Sequence, residues 1–230
     1  MNSRGADALT YLETELLAPQ VIGPDRLRLA PTALVPELRL LLAEDPIVWW
    51  ARMEADAKTA LTPPFWATAW PGGQALARYL LDHPTTVAGK RILDLASGSG
   101  LAAIAAALAG ATAVTANDID PYALAAITLN ARVNHVAVTT CHGDLLDGDG
   151  GDAEVVLAGD AFYQEALAHR MWPFLQRATV RGACVLIGDP GRQYLPQDEL
   201  RTLASYPAPA TGTSTEPQIS EITVLQPRRL

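Results

Sequence analysis

Cysteine is nearly absent from this sequence. Cys141 and Cys184 are the only two in 230 residues, they fall in separate strand-like segments, and neither has metal-ligand spacing. A disulfide framework and a zinc site are therefore not expected. The four histidines, His83, His135, His142 and His169, are scattered with no His-x-x-x-His pair, so no metal is expected. Long apolar runs are missing too. The stretch 101–109 is short and Ala-rich and reads as a buried helix, which leaves no expected membrane span. The first residues are polar, without an apolar signal region, and a cytoplasmic location is the expectation. Basic residues are outnumbered, 17 Lys and Arg against 25 Asp and Glu, for a net charge of -8. A chain that grips phosphates over a wide face is usually basic, so nucleic acid is not expected as a partner and a cationic one suits the balance better.

What is present is a globular composition, 49% hydrophobic and 18% charged. It fits one α/β domain, 63–230, behind a small helical N-terminal appendage, 1–62. In the appendage Leu9, Leu12, Leu16 and Leu17 have helical spacing, and 37–43 and 46–58 read as short helices. From residue 73 the pattern alternates. Helices are expected at 73–81, 101–109, 121–134, 164–177 and near 197–205, and strands at 91–95, 113–116, 137–140, 154–158, 183–187 and near 221–225. The Pro/Thr/Ser-rich stretch 207–217 reads as a loop. Such alternation predicts a parallel, Rossmann-like sheet with helices on both faces.

In such sheets ligands bind beyond the carboxyl ends of the strands. The first turn there is Asp94-Leu95-Ala96-Ser97-Gly98-Ser99-Gly100, and Asp118 ends the next strand, where a carboxylate can bond both hydroxyls of a ribose. Gly98 to Ala103 also satisfies the loose dinucleotide pattern, which would predict NAD and an oxidoreductase. Asp94 discriminates. It faces the place of a pyrophosphate, where a carboxylate costs about 1 kcal/mol or more per close charge pair. S-adenosylmethionine instead brings an ammonium and a sulfonium, which a carboxylate suits. Ala96, Ser97, Gly98, Gly100 and Ile119 complete the expected donor contacts, with Trp70 and Gly72 as a wall from upstream. Asp144 and Leu145, after the third strand, either hold the adenine or form a capped turn.

The fourth strand ends in Gly159-Asp160-Ala161-Phe162-Tyr163. Opposite a sulfonium, Asp160 can orient an amine, and Phe162 and Tyr163 can flank it by cation–π contact. Trp66 and Trp70 either wall this pocket or pin the N-terminal segment to the core. Asp189 and Arg192 are expected to form an ion pair on the same rim, or a plain turn.

Phe65-Trp-Ala, Trp70-Pro-Gly-Gly-Gln, Asp94-Leu-Ala-Ser-Gly-Ser-Gly100, Asn117-Asp-Ile-Asp-Pro121, Gly159-Asp-Ala-Phe-Tyr163 and Gly188-Asp-Pro-Gly-Arg192 resemble the electron transfer flavoprotein β-subunit lysine methyltransferase family. Bacterial members are often labelled nicotinamide N-methyltransferase-like. The resemblance implies a seven-stranded class I methyltransferase sheet and S-adenosylmethionine as cofactor. It also implies a protein lysine as acceptor, on the electron transfer flavoprotein β subunit or a ribosomal protein. By the same resemblance, Asp160 and Tyr163 belong to the acceptor motif. Two features depart from the pattern: Ala96 stands where many class I enzymes have a glycine, and the C-terminus lacks the family's Trp-containing ending. The other readings to test are a small-molecule N-methyltransferase and a silent binding module.

Overall fold

The computed structural model describes residues 3–17, 23–208 and 220–228. Most of the expected loop at 207–217 lies outside them. The described residues open with helix α1 (Ser3–Leu17), strands β1 (Leu27–Pro31) and β2 (Arg39–Ala43), and helix α2 (Pro46–Ala57). Helix α3 (Pro71–Asp82) leads into β3 (Arg91–Leu95), α4 (Leu101–Leu108), β4 (Ala113–Asp118), α5 (Pro121–Val133) and β5 (Thr139–His142). The chain continues through β6 (Val155–Gly159), α6 (Glu165–Val180), β7 (Cys184–Asp189), β8 (Leu200–Pro207) and β9 (Glu221–Pro227).

Seven of the described strands form one sheet in the order β5-β4-β3-β6-β7-β9-β8. The first five run parallel, and β9 enters antiparallel to both of its neighbours, β7 and β8, so it alone runs against the others. Side chains of a strand alternate between faces. Ile92, Val155, Leu157 and Leu186 therefore pack under α3, α4 and α5, while Leu93, Val156, Val185 and Ile187 pack under α6. Burial on both sides explains why these strands are apolar nearly throughout. The connection order reverses at β3, with β4 on one side and β6 on the other. That switch point opens a crevice above their carboxyl ends.

Two expected helices are strands. The segment 37–43 becomes β2, paired antiparallel with β1 from Leu27↔Ala43 to Pro31↔Arg39, so the appendage is a hairpin between helices. Leucine favours helix locally. Here Leu40 packs toward α4 and Leu41 toward α5, an alternation that only the tertiary partners reward. Likewise 197–205 becomes a single 3-10 turn followed by the edge strand β8. A register shift between Thr202 and Ala204 breaks its alternation, which is why the spacing read as helical.

The N-terminal segment is bonded to the site-bearing turn. Asn130, fully buried in α5, accepts the Leu41 N–H at 2.7 Å and donates to the Ser99 carbonyl at 2.8 Å.

Candidate methyl-donor and acceptor site

Two non-glycine residues near the crevice adopt left-handed backbone conformations, Ala96 (φ 49) after β3 and Asp160 (φ 53) after β6. Each costs about 1 kcal/mol or more, and such strain concentrates at binding sites. Ala96 stands where glycine would relieve it. The two residues flank the switch point.

At the β3 end, Asp94 is 2% exposed. Its Oδ2 accepts from the Ser97 hydroxyl at 2.5 Å and the Ala103 N–H at 3.2 Å. Burial pushes its carboxyl up to about 7 against the pull of those bonds, and Asp118 adds to the rise. A cation brought beside this carboxyl would favour its ionised form and lower it again. Asp118 accepts the Gly98 N–H and, on its other oxygen, the Asp120 N–H, both at 3.0 Å. Burial raises its carboxyl as well. Gly100 turns the chain at φ +81 and leaves the N-terminus of α4 without a side-chain cap. The Ala103 N–H is spent on Asp94, so the Leu101 and Ala102 N–H groups are the ones a ligand could reach. Ile119 stands 68% exposed beside Asp118, offering an apolar face.

The β6 end is assembled from three elements. Asp160 Oδ2 accepts the Gly73 N–H at 3.0 Å from the start of α3, and its Oδ1 accepts from Arg192 Nη2 at 2.9 Å. Burial pushes the Asp160 carboxyl up, and Arg192 opposes it. Gly72 is there because a Cβ would lie 2.1 Å from the Gly188 carbonyl oxygen and 2.7 Å from Asp160 Oδ2. A cavity of about 40 Å³ joins the two ends, touched by Trp70, Gly73, Asp94, Gly98 and Asp160. Outside it lies an aromatic rim. Phe65 packs 5.6 Å from Tyr163 and 6.1 Å from Trp70, ring to ring, and the Trp70 indole donates to the Phe65 carbonyl at 2.7 Å.

Several expected residues sit elsewhere. Phe162 is fully buried under α6 among Phe174 and Met171, so it cannot flank a substrate cation. Trp66 is buried against α5 and pins the N-terminal segment, while its neighbour Phe65 reaches the rim. Asp144 bonds Arg170 at 2.5 Å and the Leu146 N–H at 3.0 Å, and Leu145 packs toward the α6 core. Both oxygens of Asp144 are engaged, as in a capped turn. Of the two readings of Asp189 and Arg192, the turn is the one present, and the ion pair of Arg192 goes to Asp160 instead. Asp189 Oδ1 accepts the Gly191 and Arg192 backbone N–H groups at 2.8 and 2.7 Å, a turn that aims Arg192 back at Asp160. The Asp-Pro-Gly-Arg spacing carried that signal.

The profile of the Ribosomal protein L11 methyltransferase (PrmA) family matches residues 75–159, the donor half of the domain. The electron transfer flavoprotein beta subunit lysine methyltransferase of Rattus norvegicus is 42% identical over 184 residues, covering 77% of this chain and 71% of that protein. This chain belongs to the electron transfer flavoprotein β-subunit lysine methyltransferase family. The Danio rerio member is 44% identical over 171 residues, covering 74% of this chain and 66% of its own length. The chain thus spans about two thirds of the relatives it matches. The crystal structure of SMU.776 complexed with SAH shares the fold, with a TM-score of 0.56 at 12% identity over 91% of this chain and 58% of that one. The fold is that of a class I methyltransferase, and S-adenosylmethionine is the family's cofactor. The residues present fit it: buried Asp94 for its cationic end, Asp118 for the ribose, and the first amides of α4 for its carboxylate.

Proposed function

We propose that this chain transfers methyl groups to lysine side chains of a protein, with the electron transfer flavoprotein β subunit as first candidate. The observation that carries this reading is Asp160, held in a left-handed conformation where the donor cavity meets an aromatic rim. The family relatives are named for that acceptor. The PrmA match covers only 75–159, so it supports the donor half and keeps a ribosomal protein as a second candidate acceptor.

When bound, S-adenosylmethionine supplies a sulfonium-activated methyl, and the amine lone pair forms the N–C bond as the C–S pair returns to sulfur. The protein's task is alignment and exclusion of water. Asp94 and Asp118 hold the donor. Trp70 and Tyr163 bracket the acceptor stem, and Asp160 orients the amine hydrogens. Asp160 is an orienting group rather than a base, since an ordinary carboxylate lies about six pKa units below a lysine. We also place its action in the cytoplasm, where two free cysteines in separate strands are at ease.

The test is incubation of the chain with isotopically labelled donor and the flavoprotein β subunit, and separately with a cell lysate. Label is expected in a protein band and, by mass spectrometry, on lysine. Label confined to small metabolites would establish the small-molecule reading instead, and donor binding without transfer a silent binder.

A further inference from the structure

We propose that Arg192 is a positioning residue that makes the acceptor site select the neutral amine over the ammonium. The inference rests on the amine-methylation reading above and adds how the site meets that reaction's one chemical demand, a free lone pair on nitrogen.

Arg192 is not a solvated surface charge. Its side chain is 21% exposed, its Nη2 lies 2.9 Å from Asp160 Oδ1, and its guanidinium carbon stands 5.9 Å from the Trp70 ring centre. Its Nε is buried without a hydrogen-bond partner. The charged groups around it come from each neighbouring element. Beyond β6 stand Asp160 and the Tyr163 phenol. On β7 stands Asp189, fully buried, with Oδ2 lacking a partner. Asp94 of β3 touches the shared cavity, and Asp118 of β4 acts on Tyr163. The start of α3 contributes only amides, and β9 the Thr223 hydroxyl, bonded to the Asp189 carbonyl at 3.1 Å, while Glu221 of β9, Arg201 of β8 and Arg228 line the outer groove that Arg192 shares.

Without Arg192, Asp160 would face an arriving lysine as an unmatched carboxylate, with the buried Asp189 adding negative charge behind it. Asp160 would then hold it as the ammonium, the one state that cannot attack. With Arg192 in place the Asp160 charge is already matched, and an entering ammonium meets a guanidinium. The proton goes to solvent water, and the neutral amine takes the remaining lone-pair sites of Asp160. The field of Arg192 reaches the rim, where it pulls the Tyr163 phenol down against the larger rise from burial. A unit charge about 6 Å away, at an effective dielectric of about 20–40, moves a pKa by about one to two units.

The experiment measures kcat/KM for methylation of the flavoprotein β subunit from about pH 6.5 to 10, using wild type, Arg192→Lys and Arg192→Gln. The wild-type profile rises to a plateau. The midpoint is expected to move up by about one unit or more in Arg192→Gln, and to stay put in Arg192→Lys, at reduced kcat. Loss of activity with an unmoved midpoint in Arg192→Gln would mean a structural role only and would overturn the inference. So would an equal shift in Arg192→Lys. A second measurement needs neither variant nor turnover: acceptor affinity of the wild type with S-adenosylhomocysteine bound. It is expected to rise with pH, and affinity that falls overturns the proposal. Wild type that methylates no amine sinks the function itself, whereas transfer with unshifted profiles sinks this inference alone.

Discussion

The two ends of the site are built in opposite ways. At the donor end each carboxylate is held by its own neighbourhood: Asp94 by residues 3 and 9 positions away, Asp118 by residues 20 and 2 positions away. At the acceptor end Asp160 is held by Gly73, 87 positions away, and Arg192, 32 positions away. One βαβ unit suffices to shape the donor carboxylates. The acceptor end exists only after three distant segments have packed, so it is the part that can vary between relatives and the part most exposed to packing errors.

The largest expected effect breaks both ends at once. In Gly72→Ala the new Cβ would lie 2.1 Å from the Gly188 carbonyl oxygen, so α3 must move off β7. A stability loss of about 3 kcal/mol is expected, read by thermal or urea denaturation. An unchanged Tm would mean that the close approach can relax cheaply.

Asp160→Ala should separate the ends. Transfer is expected to fall by about a hundredfold or more, while calorimetric affinity for S-adenosylhomocysteine stays within about tenfold. Equal loss of both would make Asp160 part of the donor site. Asp118→Ala is the converse. Donor affinity should weaken by about 1.5–3 kcal/mol, with kcat at saturating donor little changed. If kcat fell and affinity held, the division of labour would be wrong.

The smallest effect, taken over one pH unit, is a pH dependence at the donor end. Burial raises the Asp94 carboxyl from 3.8 to about 7 in the folded chain. Between those values the folded state binds a proton that the unfolded state does not, so this group's contribution to stability is present at low pH and lost as pH rises through about 7. A cationic donor prefers the carboxylate, so S-adenosylmethionine affinity should run the other way, falling up to about tenfold per pH unit below 7. Calorimetry in Asp94→Asn should show a flat profile. A slope surviving in that variant would assign the titration to another group.

How much could be read in advance follows the same division. The sheet, its two-faced burial, and the turn from Asp94 to Gly100 with Asp118 rest on local pattern, and strands and helices fall near where apolar periodicity put them. The misreadings are non-local. Leu40 and Leu41 read as helix because leucine suits one, until β1 supplied a ladder and α4 and α5 supplied two faces. Phe162 and Tyr163 are adjacent in sequence, yet one is core and the other rim. The left-handed turn at Asp160 redirects the chain there, and no spacing rule announces it. Arg192 was legible as a turn residue but paired with the wrong carboxylate, because the turn that bonds Asp189 to its own backbone leaves the guanidinium free to cross to β6.

By itself the sequence determined an alternating α/β sheet and a carboxylate-lined turn suited to a cationic donor, since apolar periodicity marks each strand and helix and the turn lies within one βαβ unit. Only the tertiary structure decided which side chains meet the acceptor. Asp160, Gly73, Arg192, Trp70 and Tyr163 converge through the packing of α3 and β7 against β6, and contacts across such separations are set by the shape of the whole core rather than by any local preference.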